Sequence, residues 1–206
     1  MIQKIFGFDQ NTNIGLYSYA TIQCAPALSE FMAESFPKQM QCLIPCAIDQ
    51  DPFFRLCRDI APKLGFPKPA LLHSKFIPGL QGYGKKMSSS SEQNSTITLA
   101  DSRETIKKKI NKYAFSGGQV TLEEHRAKGG NCAIDVSYAY LEYFLEDDEE
   151  LEKIRQDYTS GKMLTGELKK KCIDTLASFI EDFQEKRKKV TNEDVDRFMS
   201  YRKMNF

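Results

Sequence analysis

Along the first hundred residues, short apolar runs alternate with clusters of turn-forming residues. Residues 2–8 are one such run, closed by Asp9-Gln10-Asn11, and this pattern predicts a strand and a turn. Cys42-Leu43-Ile44-Pro45-Cys46-Ala47-Ile48 is a second run, and it ends abruptly at Asp49-Gln50-Asp51-Pro52. A proline fits the first turn of a helix, where its missing N–H would have no partner, so residues 53–60 are predicted to be helical with Asp51 as the cap. Ala70-Leu71-Leu72 is a third run, followed by a Gly- and Ser-rich loop over residues 78–95. Strand, helix and strand in this order predict a parallel sheet with crossover helices.

After Ala100 the apolar spacing becomes helical. Asp101-Ser102-Arg103-Glu104 fits a capping box, with Gly117-Gly118 as the matching stop. Asp135 is placed to cap residues 136–144, and the acidic run 146–150 suits the positive N-terminal end of a helix over 151–158. Thr165 is placed to cap a long helix reaching about Lys189, with Leu168, Cys172, Leu176, Phe179, Ile180 and Phe183 as its buried stripe. Thr191 opens a last short helix that ends near Ser200.

Composition narrows the class without naming a chemistry. Over 206 residues, 41% are hydrophobic and 28% charged, which is ordinary for a globular chain. A net charge of +1 gives no global attraction to nucleic acid, so any basic site must be local. Lysine clusters at 107–109, 169–171 and 186–189 are local candidates, although such clusters are usually solvated helix faces. No run of 18 apolar residues is present and the N-terminus has no signal-peptide pattern, so a cytoplasmic chain with six reduced cysteines is expected. Cys42 and Cys46 form a close pair without a second pair beside it, and the two histidines stand far apart, so no metal site is expected.

The segment Gly82-Tyr83-Gly84-Lys85-Lys86-Met87-Ser88-Ser89-Ser90-Ser91 has the ingredients of a mobile polyphosphate site. Glycines let the backbone approach a ligand, serine hydroxyls and backbone N–H groups donate to phosphate oxygens, and a lysine supplies a compact charge. A Ser-rich surface linker has the same composition. The surrounding sequence separates the two. Lys86-Met87-Ser88-Ser89-Ser90 resembles the KMSKS signature of class I aminoacyl-tRNA synthetases. Ala47-Ile48-Asp49-Gln50, at the predicted carboxyl end of a strand, resembles the Gly-x-Asp-Gln element of the tyrosine and tryptophan members. The longer blocks 41–55, 67–74, 114–118, 123–126 and 157–170 are similar to the eukaryotic-type tryptophanyl members, in the family's order.

That resemblance implies an α/β fold: the C-terminal half of a Rossmann-type catalytic domain over residues 1–100, then an all-α anticodon-binding domain over 101–189. Residues 190–206 would be a helix and tail packing back on the catalytic part. It implies that Gln23 and Gln50 hold the amino and carboxylate groups of tryptophan, with Cys46 and Phe54 walling the indole. Ala47 and Asp49 would lie on the adenosine side. Lys86, Met87, Ser88, Ser89 and Ser90 would form the catalytic loop, with Lys86 and Ser88 contacting ATP. An extra serine, Ser91, leaves the register of this loop open by one position, with Lys85 as the other candidate. The partners implied are ATP with Mg2+, tryptophan and tRNA(Trp), in a homodimeric ligase with no membrane association. A tyrosine-specific relative and a noncatalytic tRNA-binding or signalling segment are the alternatives. Gln119-Val120, where relatives often carry charge, speaks against direct base reading at those two positions.

The family's other signature, HIGH, has no counterpart, since no His-x-Gly-His occurs in the chain. The 206-residue chain by itself is therefore expected to show no tryptophan-dependent ATP–pyrophosphate exchange, and exchange by the purified chain would refute this expectation.

Overall fold

The computed structural model describes residues 2–28, 40–86 and 96–200, with residues 83–86 described by backbone alone. The chain divides into two compact units, Met1–Lys75 with Asp196–Phe206, and Phe76–Val195.

In the first unit, the run at residues 2–8 is not a strand. It forms a short helix, α1 (Ile2–Phe6), and Gly7 leaves it at φ +67. Phe6 stacks on Phe53, ring centroids 4.6 Å apart, so an aromatic contact decides a segment too short for periodicity to decide. Helix α2 (Ile14–Cys24) is capped by the Asn13 side chain, which accepts from Gly15 N. Strand β1 (Leu43–Ala47) runs into a 3₁₀ turn, Ile48–Gln50, and then into α3 (Asp51–Ile60). Asp51 is the first helical residue rather than the cap. Gln50 takes the cap position without a side-chain bond, and the Asp51 carboxylate faces Arg55 and His73 instead. The chain turns at Gly65 (φ +82) and returns as β2 (Ala70–Ser74). The expected parallel pairing holds, with Leu43 opposite Ala70, Cys46 opposite His73 and Ala47 opposite Ser74. Phe54, Cys57 and Ala27 form a small core, against which Ile44, Cys46, Leu71 and Cys24 pack.

In the second unit, part of the expected loop is a hairpin, β3 (Pro78–Gly79) against β4 (Gly82–Lys86). Its tip residue Leu80 is 1% exposed and belongs to the helical core. Phe115 N donates to Leu80 O at 2.7 Å, and Tyr140 Oη donates to Pro78 O at 3.1 Å. These contacts tie the hairpin to the helical unit, so the compact units divide at Lys75/Phe76. The helices that follow are α4 (Arg103–Tyr113), α5 (Leu122–Lys128), α6 (Val136–Phe144), α7 (Asp148–Thr159) and α8 (Thr165–Lys188). The last, α9 (Asn192–Met199), spans the boundary between the units.

The capping expectations are met in part. Asp135 caps α6 as expected, and the acidic run supplies both the cap of α7, Asp147, and its first turn, so the helix begins at Asp148 rather than at Leu151. For α4 the cap is Ser102, which accepts from Thr105 N, while Asp101 accepts instead from Thr98 N and Lys109. Helix α4 stops at Tyr113, before the glycines. Gly117 is needed for close approach: a Cβ there would lie 2.1 Å from Asn131 O. Thr165 is the first residue of α8, not its cap, and its hydroxyl lies 3.3 Å from the Tyr158 hydroxyl. Leu168, Cys172, Leu176 and Ile180 are buried as expected, with Ile173 and Ala177 added, whereas Phe179 is 47% exposed.

One buried carboxylate organises this unit. Asp135 Oδ1 accepts from Ser137 N and Tyr138 N, and Oδ2 accepts from Gly117 N and Tyr158 Oη, both at 2.8 Å. It joins the 115–118 segment, α6 and α7 at one fully buried point. Burial pushes the Tyr158 hydroxyl up to about 12, so it remains a donor.

Two outcomes are expected. Tyr158→Phe removes one charge-assisted bond and should cost about 2 kcal/mol in urea unfolding, with an unchanged m-value. Burial raises the thiol of Cys24 to about 12 and that of Cys132 to about 11, so the reactive thiolate is scarce at pH 8 and becomes abundant only as pH rises towards those values. Iodoacetamide at pH 8 should therefore modify both at least roughly tenfold more slowly than a free peptide thiol.

Candidate functional site

In a parallel strand pair, both carboxyl ends fall on one edge, and open sheets present ligands there. Here that edge is built from Cys46 and Ala47 at the end of β1 and His73 and Ser74 at the end of β2. The 3₁₀ turn beyond β1 places Asp49 and Gln50 immediately past the edge, and α3 begins directly after them. Asp49 is exposed and Gln50 half-buried.

Electrostatics show how closely these residues gather. The Cys46 thiol is raised from its ordinary value by burial first, then by the negative charges of Asp51 and Asp49. Asp51 Oδ1 lies 3.2 Å from His73 Nε2, while Oδ2 accepts from Arg55 Nε at 2.5 Å. Cys46, Asp49, Asp51 and His73 thus surround one edge of the sheet.

Gln23 lies in the last turn of α2, and its Oε1 accepts from Tyr19 Oη at 3.1 Å. Tyr19 meets the Phe53 ring edge-on at 5.6 Å, and Cys24 Sγ donates to Phe53 O at 3.2 Å. Helix α2 therefore presses on the first turn of α3. Phe54 is 4% exposed and sits in the small core with Cys57 and Ala27.

Gln23, Cys46, Ala47, Asp49, Gln50 and Phe54 all belong to the first unit. Lys86 closes β4, opposite Pro78, in the second. Met87, Ser88, Ser89 and Ser90 lie outside the described residues. Among the described residues, no group of three or more His, Cys, Asp or Glu side chains is arranged to hold a metal ion. No described helix is long and apolar enough to cross a membrane.

His73 is the site residue that the sequence reading missed. Its signal was available: residues 43–47 and 70–74, once paired in parallel, place it opposite Cys46. In the second unit, the 115–118 segment is fixed from behind by Asp135, and His125 continues the support. Gln119 N donates to His125 Nδ1 at 3.4 Å, which leaves Nε2–H to donate to Met163 O at 2.9 Å. The Gln119 side chain donates to Gly129 O at 3.0 Å, and Val120 is 97% exposed.

The sequence model of the tRNA synthetases class I (W and Y) matches residues 2–181. The cytoplasmic tryptophan–tRNA ligase of Homo sapiens is 56% identical over the whole of this chain, which covers 44% of that protein. The Saccharomyces cerevisiae counterpart is 49% identical over 96% of this chain and 46% of its own length. The tryptophanyl-tRNA synthetase structure from Giardia lamblia superposes with a TM-score of 0.88 at 41% identity, over 98% of this chain and 56% of that one. That from Encephalitozoon cuniculi, bound to tryptophan, gives 0.83 at 42% identity, over 97% of this chain and 53% of that one. This chain thus spans about half the length of the relatives it matches. With the family's sequence pattern running through most of its residues and the same fold in relatives this similar, the chain belongs to the class I tRNA synthetases of the tryptophan and tyrosine family.

Proposed function

We propose that this chain is the C-terminal half of a cytoplasmic tryptophan–tRNA ligase. The observation that carries the reading is Asp49-Gln50 standing at the carboxyl edge of a parallel strand pair, within a chain 56% identical from end to end to a tryptophan-specific relative. The family pattern covers tryptophan and tyrosine members alike, so specificity rests on the relatives, which are tryptophan ligases.

In the proposed reaction, the carboxylate of tryptophan attacks the α-phosphorus of ATP, and pyrophosphate leaves; Mg2+ accompanying ATP would neutralise part of the phosphate charge. A terminal ribose hydroxyl of tRNA(Trp) then attacks the adenylate carbonyl and AMP leaves. Gln50 and Gln23 suit the zwitterionic end of tryptophan because an amide both donates and accepts. Asp49 suits the ribose hydroxyls as an acceptor, and the small Ala47 leaves room for the nucleotide. Cys46 and Phe54 complete the wall on the indole side.

Negative charge grows on the departing pyrophosphate as the α-phosphorus bond breaks. A lysine that meets this charge mainly in the transition state raises the rate rather than the affinity. Lys86, with Met87 and the hydroxyls of Ser88, Ser89 and Ser90, takes that role. Residues 1–100 supply the catalytic half, 101–189 the anticodon-binding domain and 190–206 a tail on the catalytic part. The complete enzyme acts as a homodimer.

In the complete enzyme, pyrophosphate exchange should be supported by tryptophan and not by tyrosine. Lys86→Ala should slow activation by roughly 10²–10³-fold in single-turnover measurements, with tryptophan affinity nearly unchanged. Lys85→Ala should do much less. An unchanged rate in Lys86→Ala would remove the transition-state role, and a larger defect in Lys85→Ala would move the register by one residue.

A further inference from the structure

The turn that carries Asp49 and Gln50 is not held by burial or by a side-chain cap. None of Ile48, Asp49 and Gln50 is buried, and Gln50 caps α3 without a side-chain bond. Ligand-holding groups need their backbone placed to within a fraction of an ångström, so support must come from neighbouring residues. Asp51, the next residue, is held at both oxygens. The bond to Arg55 lies within α3, one turn along, and Arg55 is 74% exposed, so it anchors the turn to nothing outside the helix. The contact of Oδ1 with His73 Nε2, at 3.2 Å, crosses from α3 to the end of β2. The Asp51 side chain is only 13% exposed there.

We propose that His73 is a positioning residue of the synthetase site: by holding Asp51 it fixes the 48–51 turn, and with it Asp49 and Gln50, at the carboxyl edge of the β1–β2 pair. The inference rests on the ligand roles proposed above for Asp49 and Gln50. It gives Asp51 a bracing role as well, since a carboxylate that accepts from Arg55 and has His73 Nε2 against its other oxygen is withheld from the ligand's hydroxyls. The parallel register supports the assignment. His73 stands opposite Cys46, and the Cys46 thiol feels the charges of both Asp51 and Asp49, so strand, turn and helix start converge at one place.

A residue that places ground-state contacts should act on KM more than on kcat. In the complete enzyme, His73→Ala is expected to raise KM for tryptophan and ATP together, each roughly tenfold, with a smaller change in kcat. His73→Gln, whose amide N–H can still reach Asp51, should restore most of the loss, whereas the shorter His73→Asn should not. Hydrogen exchange at the amides of residues 49–51 and 53 should quicken in His73→Ala and His73→Asn, with the helical unit unaffected. Unchanged KM values in His73→Ala would overturn the proposal, as would a defect in His73→Gln as large as that in His73→Asn. If His73→Ala fails to fold, the comparison of Gln with Asn carries the test alone. Gln50→Ala separates the two layers of argument. If it too leaves the tryptophan KM unchanged, the reading of the site falls; if it raises KM while His73→Ala does not, only the inference about His73 falls.

Discussion

The parallel pairing of β1 with β2 is the constraint on which the candidate site depends. Parallel strands cannot be joined by a tight turn, so the chain must leave the carboxyl end of β1, cross over through a helix and re-enter at the opposite end. That requirement puts the 48–50 turn and the start of α3 at one edge and brings His73 to the same edge 22 to 25 positions later in the chain. Each ladder bond fixes register as well as direction. A slip of one residue would turn the side chains of β2 to the opposite face and separate His73 from Asp51. The chemistry proposed for Asp49 and Gln50 is thus set by backbone hydrogen bonds before any side chain meets a ligand.

The helical unit is built on a different principle. Its apolar faces supply the bulk of the burial, from Ile106 and Ile110 on α4 to Leu168, Cys172 and Leu176 on α8. Apolar burial has no direction and does not by itself fix how a loop lies on a helix. Asp135 supplies direction. Its four accepted bonds tie Gly117, the first turn of α6 and Tyr158 of α7 to one another. Gly129 and Gly130 allow the close approach: a Cβ at Gly130 would lie 2.4 Å from the Tyr158 ring, and one at Gly129 would lie 1.8 Å from Thr159 O. Such a scaffold holds the 115–120 segment rigidly from behind while Phe115 and Val120 remain exposed.

The two units divide the proposed work in a physically reasonable way. Asp49 and Gln50 stand at a sheet edge whose geometry is fixed by backbone bonds, which suits groups that orient a substrate. Lys86 closes a two-stranded hairpin that leads into the Ser-rich sequence 87–91, which supplies hydroxyl donors beside the lysine charge proposed to meet the departing pyrophosphate.

Sequence alone determined the order and type of the strongly periodic elements. It gave the strand, helix and strand of residues 43–74, the helix capped by Asp135, and most of the stripe of α8, because burial on one face leaves a repeating trace in the chain. Its motifs also carried the family resemblance. Tertiary structure alone decided the rest. Residues 2–6 became a helix because Phe6 found Phe53, and half of an expected loop became a hairpin because Leu80 entered the helical core. Asp51 and Thr165 stand one residue inside their helices rather than capping them, since Asp51 bonds His73 and Arg55 and Thr165 lies against Tyr158. His73 gained its place from a strand partner 27 residues away. Periodicity records which face a residue shows to the core, but it does not record which distant residue waits there, and that pairing is what brings Asp51 and His73 together.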